Sequence, residues 1–245
     1  MAYDFRAQRL FLDMPLGAGA VVEPARAQAH YLLHVLRLKA GDAIFVFNGR
    51  DGEWRATLRE AGRKSCSLAI DEQSRAQPGA PDLDFLFAPL KQARLDYMVQ
   101  KGVEMGAGRL IPVRTQFTQI AKVNADRMRA NAIEAAEQCG ILSLPEIVPL
   151  ERLDQTLAGW EPARRLVFCD EAAPVADPVA VLHAVPRGPV AVLIGPEGGF
   201  SETERARLLD LPHVTAISLG PRILRADTAA VAALALVQAA IGDWR

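Results

Sequence analysis

The stretch VAVLIGPEGGFSETE, residues 190–204, combines a continuous apolar run, a glycine-rich turn and the beginning of a helix. Val190–Ile194 has the composition of a strand that is buried on both faces of a parallel sheet. Ser201 followed by Glu204 three residues later forms a capping box, which marks a helix N-terminus. Strand, glycine-rich loop and helix in this order are typical of the edge at which an open α/β sheet binds small molecules. The stretch therefore predicts an α/β sheet with a ligand site beside the strand end.

A second stretch of this kind, SLGPRILRADT at residues 218–228, follows the last predicted strand. Arg222 and Arg225 stand in this loop, and Asp227 or Thr228 can cap the final helix. Because the carboxyl ends of parallel strands meet at one edge, the two loops could share a ligand. The alternative is a tight turn without a ligand in the first loop, with the arginines of the second solvated or paired with nearby acids.

The chain divides at QSRAQPGAPD, residues 73–82, whose prolines and glycine are typical of a linker. Residues 1–73 contain short strand-like runs separated by Asn-Gly and Asp-Gly turn signals, with one helix at 27–36, and predict a small, mostly β domain. In residues 82–245 strands alternate with helices, which predicts a parallel sheet covered on both faces. The predicted strands are 43–47, 53–58 and 65–70, then 84–88, 109–113, 165–169, 190–194 and 214–219; the helices of the second domain are 92–105, 124–138, 178–184, 202–209 and 228–241.

Composition excludes several classes of protein. Half of the 245 residues are hydrophobic, which excludes disorder, and the net charge of −1 excludes a protein that is basic over its whole surface. Three cysteines without a CxxC pair argue against a disulfide framework and favour a reducing cytoplasm, and the N-terminus lacks the pattern of a signal peptide. The longest apolar stretch, residues 229–241, is too short to span a bilayer, so no membrane partner is expected.

Three further groups of residues have spacings that chemistry could use. Lys91, Arg94 and Lys101 share a helix face, which is either a nucleic-acid contact or a solvated basic edge. Glu134 and Glu137 precede Gly140, which is typical of the residue after a helix; the pair could serve acid–base chemistry or lie on a solvated face. His30 and His34 have a metal-binding spacing, but no third ligand is evident, and we expect no metal site.

These motifs resemble the RsmE family, the 16S ribosomal RNA uridine-N3 methyltransferases of the SPOUT class. The resemblance rests on GPEGGFS and LGPRILRADTA, on KQARLDYMVQKGVEMGAGRLIPV upstream, and on NAIEAAEQCG between them. HYLLHVLRLKAGDAIFVFNGRDGEW, residues 30–54, is similar to the PUA-like RNA-binding domain of that family. The match covers nearly the whole chain.

The resemblance implies a SPOUT-type parallel sheet with a C-terminal trefoil knot over residues 82–245, preceded by a PUA-like barrel over residues 1–73. It also implies S-adenosylmethionine as cofactor, a homodimer, and 16S ribosomal RNA in the small subunit as substrate. One cofactor wall is expected at Leu193, Gly195, Pro196, Gly198 and Gly199, and the other at Ser218, Leu219, Gly220, Ile223, Leu224 and Arg225. Arg225 is expected to stabilise the developing uridine anion, and RNA is expected at Arg37, Lys39, Arg50, Arg55, Lys91, Arg94 and Lys101.

The sequence departs from the family pattern in three places. Asp227 stands where glutamate is common, and Phe117 and Ile141 stand where many members have arginine. Two cations that could contact RNA are therefore missing. A SPOUT methyltransferase for another RNA, a non-catalytic RNA-binding protein and a small-molecule α/β enzyme stay open as alternatives, although the absence of GxGxxG and P-loop motifs argues against the last.

Overall fold

The computed structural model describes residues 7–62, 65–174 and 177–244. The predictions made for residues 1–6, 63–64, 175–176 and 245, which concern domain membership and the N-terminal signal, lie outside the described residues. The chain divides into two compact units. Unit 1 comprises residues 1–80 and 133–144, and unit 2 comprises residues 81–132 and 145–245.

Unit 1 is built on a five-stranded sheet of order β1-β3-β4-β5-β2, in which β1 runs parallel to β3 and the other pairs are antiparallel. Its strands are β1 (Arg9–Phe11), β2 (Val21–Val22), β3 (Ala43–Phe47), β4 (Glu53–Ala61) and β5 (Cys66–Arg75), and helix α1 (Arg26–His30) continues into a π-helical turn (Tyr31–Val35). Ile44 and Val46 of β3 and Ala56 and Leu58 of β4 are buried at alternate positions, because successive side chains point to opposite faces of a sheet. The predicted mostly β character is confirmed.

A buried ion network ties the first strand of unit 1 to the middle of its sheet. Glu53 accepts hydrogen bonds from Arg9 Nε at 2.8 Å, from Arg75 Nη2 at 2.6 Å and from Ser74 Oγ at 2.7 Å. Burial alone would raise the pKa of Glu53, but the hydrogen bonds from Arg75, Ser74 and Arg9 outweigh it and hold this pKa below its ordinary value.

Residues 133–144 belong to unit 1 although they follow the predicted linker by more than fifty residues. Glu137 accepts the backbone N–H of Phe11 at 2.8 Å, and Arg75 donates to the carbonyl of Gly140 at 3.0 Å. The predicted linker also begins too early, because β5 continues to Arg75. The second half of β5, DEQSR, is polar and lacks the apolar alternation that indicates a strand.

Unit 2 is built on a parallel sheet of order β12-β10-β11-β6-β7-β8, with β9 also pairing with β7. Its strands are β6 (Leu83–Phe87), β7 (Arg109–Arg114), β8 (Glu146–Ile147), β9 (Glu151–Arg152), β10 (Arg165–Cys169), β11 (Val190–Ile194) and β12 (Val214–Ile217). The helices are α2 (Gln92–Glu104), α3 (Ala125–Cys139), whose last turns lie in unit 1, α4 (Leu153–Ala158), α5 (Pro178–His183), α6 (Glu202–Asp210) and α7 (Ala226–Ala240). Every residue of β6 and β11 is buried, as continuous apolar runs in central parallel strands require.

The predicted strands and helices of unit 2 are present, and the predicted parallel α/β sheet is confirmed. Three short elements were missed: β8, β9 and α4 contain too few residues to show a period. The predicted cap of α7 is wrong. The helix begins at Ala226, so Asp227 and Thr228 lie in its first turn, and Arg225 occupies the cap position without a side-chain cap. The trefoil knot stays a prediction of the resemblance.

Candidate functional site

A pocket of about 390 Å³ opens at the carboxyl edge of β10, β11 and β12. The loops that follow these three strands form its walls, as expected where parallel strands end together. Nine of the predicted cofactor residues line it: Gly195, Pro196, Gly199, Ser218, Leu219, Gly220, Ile223, Leu224 and Arg225. The two glycine-rich loops, far apart in sequence, thus enclose one cavity.

Two of the predicted cofactor residues lie elsewhere. The side chain of Leu193 is fully buried in the core of unit 2, where it packs with Leu86 and Phe168. Gly198 is exposed at the tip of the loop beside Phe117, and a side chain added there would meet Phe117 at 3.2 Å. Neither residue lines the pocket.

The first wall depends on glycine for steric reasons. A Cβ atom at Gly195 would lie 2.5 Å from the ring of Phe200, which itself packs edge-to-face on Phe168 in the core. Gly199 has a φ of +69° and donates its N–H to the carbonyl of Pro196 at 3.0 Å, which closes the turn. The predicted capping box is confirmed: Ser201 accepts the N–H of Glu204, whose carboxylate accepts the N–H of Ser201 at 3.0 Å.

The second wall is a loop held by the side chain of Ser218. Ser218 is buried, and its hydroxyl accepts the N–H of Gly220, which has a φ of +99°. Ile223 is 90% exposed, which is an unusual position for a large apolar side chain. This wall therefore combines a loop fixed by the Ser218 hydroxyl with an exposed apolar side chain.

A third wall was missed in the sequence. Cys169 ends β10, and Asp170 and Glu171 follow it at the pocket. Arg205 donates to Asp170 at 2.9 Å, and burial raises the pKa of the Cys169 thiol to about 12. The sequence does place two acids directly after a predicted apolar strand, at the end where ligands bind. An isolated acidic pair matches no known motif, so this position was not singled out.

Arg94, predicted to contact RNA, lies against one acid of the loop after β11 and one acid of the first turn of α7. Its Nη1 is 3.2 Å from Glu197 Oε1, and its Nε is 3.9 Å from Asp227 Oδ2. Helix α2 thus supplies one cation that bridges the loop after β11 to the first turn of α7. The side chain of Arg225 is exposed at the pocket and makes no hydrogen bond or ion pair to the residues that the structure describes.

Within the part of the chain that the structure describes, the other predicted RNA-binding residues are either exposed without an ion pair or exposed in part and paired with an acid. In unit 1, Arg37 and Lys39 are exposed, Arg50 lies 3.9 Å from Asp13 and from Asp51, and Arg55 pairs with Asp71 at 3.3 Å. In unit 2, Lys91 is exposed at the start of α2, and Lys101 pairs with Glu104 at 2.7 Å. Their role in RNA binding stays a prediction.

The glutamate pair and the histidine pair singled out in the sequence lie outside the pocket. Glu137 accepts a backbone N–H in unit 1, so it is not on a solvated face, and burial raises its pKa. The rings of His30 and His34 are 4.8 Å apart. The described residues contain no group of three or more histidine, cysteine or acidic side chains placed to hold a metal ion. Within the same residues, no helix has the length and apolar character needed to cross a membrane.

Comparison with known proteins agrees with this geometry. Residues 78–238 match the family described as RNA methyltransferase domain, and residues 25–71 match the family described as RNA methyltransferase PUA domain. The ribosomal RNA small subunit methyltransferase E of Rickettsia conorii is 29% identical over 232 residues, which cover 94% of each chain.

Two solved structures resemble the whole chain. The ribosomal RNA small subunit methyltransferase E of Neisseria gonorrhoeae, bound to S-adenosyl methionine, has a TM-score of 0.86 at 25% identity and covers 98% of this chain and 100% of its own. A putative methyltransferase of Legionella pneumophila, in complex with the cofactor SAM, has a TM-score of 0.81 at 28% identity and covers 96% of this chain and 98% of its own. The chain belongs to the RNA methyltransferase family, in the group of the ribosomal RNA small subunit methyltransferases E.

Proposed function

We propose that this protein transfers a methyl group from S-adenosylmethionine to N3 of a uridine in 16S ribosomal RNA. The observation that carries the proposal is the pocket that the loops after β11 and β12 enclose. Relatives that cover almost the whole chain are named for this substrate class, and one was solved with the cofactor. The position N3 follows from the resemblance to the RsmE family.

The residues of the pocket fit this cofactor chemically. Leu219, Ile223 and Leu224 offer apolar surface to an adenine ring, and the glycines of both loops leave backbone polar groups accessible. Glu171 and Glu197 supply negative charge on the same cavity, which suits a sulfonium cation. We infer that these residues hold the cofactor, together with Gly195, Gly199 and Gly220.

The reaction requires the loss of one proton. Uridine N3 carries a proton and is a poor nucleophile at neutral pH. When bound, the cofactor supplies an electrophilic methyl group, which leaves sulfur with its bonding electron pair remaining on sulfur. Holding N3 in line with that bond can remove about 7–11 kcal/mol of the barrier. We propose Glu197, which lines the pocket, or Asp227, in the first turn of α7, as the carboxylate that accepts the N3 proton; Arg94 lies 3.2 Å from Glu197 and 3.9 Å from Asp227.

Arg225 is proposed to stabilise the uridine anion that forms as the proton leaves. Its guanidinium lines the pocket, is exposed, and has no carboxylate partner among the described residues, so it is available to substrate. Arg225→Ala should lower methyl transfer about 100-fold or more, as removal of a single oxyanion donor does, while cofactor affinity changes only a few-fold. Arg187→Ala, an exposed arginine that does not line the pocket, is the matched control. Turnover retained by Arg225→Ala would refute this role.

RNA binding is proposed for basic residues of both units. Arg37, Lys39 and Lys91 are exposed, and Arg50 and Arg55 keep about half of their side chains exposed despite their ion pairs. Each phosphate neutralised should contribute about −0.7 to −0.9 to the slope of log K against log salt. The net charge of −1 favours an assembled small subunit, whose shape adds to electrostatic affinity. We also propose that the protein acts as a homodimer and in the cytoplasm.

The test is methyl transfer from radiolabelled S-adenosylmethionine to small ribosomal subunits that lack the modification, with naked 16S RNA and transfer RNA in parallel. Label on the subunit alone, mapped to uridine N3, is expected. Label on transfer RNA would show that the substrate is a different RNA, while methyl transfer from the cofactor would stand. An absence of label together with an absence of cofactor binding would favour a non-catalytic RNA-binding protein.

A further inference from the structure

A second cavity, of about 600 Å³, opens at the same edge of the unit 2 sheet as the cofactor pocket. It lies where β7 ends at Arg114, where β9 ends at Arg152, and where α6 begins after Ser201. The loop between β11 and α6 contributes to both cavities, since Phe200 lines the cofactor pocket and Ser201 lines the second one. The two cavities are therefore neighbours that share one wall.

The side chains that line the second cavity carry a net formal charge of +1. Three arginines and two acids line it. Both carboxylate oxygens of Glu204 are occupied, by Ser201 on one side and by the backbone N–H of Gln116 on the other, at 2.8–3.0 Å. The carboxylate of Asp154 is occupied by Arg152, which donates to both oxygens at 2.9 and 3.1 Å.

Two guanidinium groups remain for a ligand. Arg114 is exposed and has no hydrogen bond or ion pair from its side chain to the described residues. Arg207 is exposed, and its side-chain contact among them is a 3.5 Å hydrogen bond to the backbone carbonyl of Asp154. Guanidinium groups bind phosphate oxygens through paired N–H donors, so the chemistry of this cavity suits a phosphate.

An exposed aromatic side chain lies beside the second cavity. Phe117 lies between Gln116 and Thr118, which line the second cavity, and it packs beside Gly198 of the cofactor loop. It is 44% exposed, whereas an aromatic side chain without a partner is normally covered. Exposed aromatic rings next to arginines are the means by which proteins hold unpaired RNA bases.

We propose that a nucleotide next to the target uridine binds here, with its phosphate held by Arg114 and Arg207 in the second cavity and its base stacked on Phe117 beside that cavity. This inference rests on the proposed function, because it takes the neighbouring pocket as the place where the target base reacts. It gives the protein a subsite for an unpaired nucleotide at Phe117, where stacking accepts any base.

The test measures binding of small subunits, or of 16S RNA, as a function of salt, with cofactor affinity measured separately. Arg114→Gln should raise the RNA Kd about tenfold and make the salt slope less steep by about 0.7–0.9. Phe117→Ala should raise Kd about fivefold to a hundredfold with the slope unchanged, because stacking releases no counterions, and Phe117→Tyr should retain affinity. All variants should bind S-adenosylmethionine as the wild type does. Arg187→Gln, in the loop before β11 at the opposite edge of the sheet, is the matched control.

Three results would overturn the inference. In the first, Arg114→Gln behaves like Arg187→Gln in RNA affinity and salt slope. In the second, Arg114→Gln weakens cofactor binding, which would assign the cavity to the cofactor site. In the third, inorganic phosphate competes as strongly as an RNA oligonucleotide, which would indicate a small-anion site. Because the experiment measures RNA binding, it tests this inference even if the wild type transfers no methyl group. A wild type that binds RNA without transferring a methyl group would refute the proposed function and not this inference.

Discussion

Replacing Glu53 with glutamine should destabilise unit 1 by about 3–5 kcal/mol, the cost of breaking a buried ion pair from one side. The magnitude follows from burial: the paired side chains of Arg9 and Glu53 are 2% and 3% exposed, so water cannot take the place of the lost carboxylate. The side chain of Arg75 is 30% exposed, so water can solvate part of its charge when the carboxylate is lost. Glutamine keeps the shape of the side chain, and the effect therefore isolates its charge.

Hydrogen exchange of the β4 and β5 amides is the measurement, with peptides from β11 as an internal reference in unit 2. A loss of this size should speed exchange of the most protected unit 1 amides at least about a hundredfold. The control is Asp71→Asn, which removes the charge paired with Arg55 where the two side chains are 46% and 26% exposed; asparagine keeps an oxygen that can accept the Thr57 hydroxyl, and the change should cost no more than about 1 kcal/mol.

The same variant should also change the response of unit 1 to acid. The pKa of Glu53 is lowered in the folded protein, so its stabilisation is fully present above the glutamate value of the unfolded chain, about 4.3, and is lost as pH falls through the folded value. Glu53→Gln should lose this part of the acid dependence. An equal effect of Asp71→Asn, or an unchanged acid response in Glu53→Gln, would refute the reasoning.

Three further predictions concern the cofactor pocket and its loops. Gly195→Ala should weaken binding of S-adenosylmethionine about tenfold or more, because the added methyl group clashes with the ring of Phe200; calorimetry tests this, and unchanged affinity would contradict it. Cys169 should react with a thiol reagent far more slowly than the exposed Cys139 at pH 8, since burial raises its pKa to about 12; mass spectrometry of labelled peptides would reveal equal rates if this is wrong. Ser201→Ala should destabilise α6 by about 1 kcal/mol through loss of its cap, and unchanged amide exchange in the first turn would contradict this.

Local patterns predicted the framework of unit 2 well. The apolar run Val190–Ile194 and the capping box at Ser201 each act over a few residues, and each has the predicted structure; of the glycines that follow the strand, Gly199 has the positive φ that favours glycine. The convergence of two loops on one pocket also followed, because parallel strands leave their loops at a common edge.

Contacts between distant residues were beyond these patterns. The sequence placed Arg94 on a basic helix face, but its position is set by Glu197 and Asp227, which lie more than 100 residues away. The packing of residues 133–144 with unit 1 depends in the same way on Glu137 meeting the backbone of Phe11. The periodicity of neighbouring residues in the sequence carries no information about such long-range contacts.

The amino-acid sequence alone determines the class of the sheet, the order of its elements along the chain and the two glycine-rich loops at its edge, since these depend on burial period, capping and glycine conformation. The tertiary structure decided which side chains face those loops. It brought Asp170 and Glu171 to the pocket as a third wall, and it placed Arg114 and Arg207, 93 positions apart in the chain, on one cavity. The physical reason is that the free energy of a charged side chain depends on the partners and solvent around it, and packing of the whole sheet sets both.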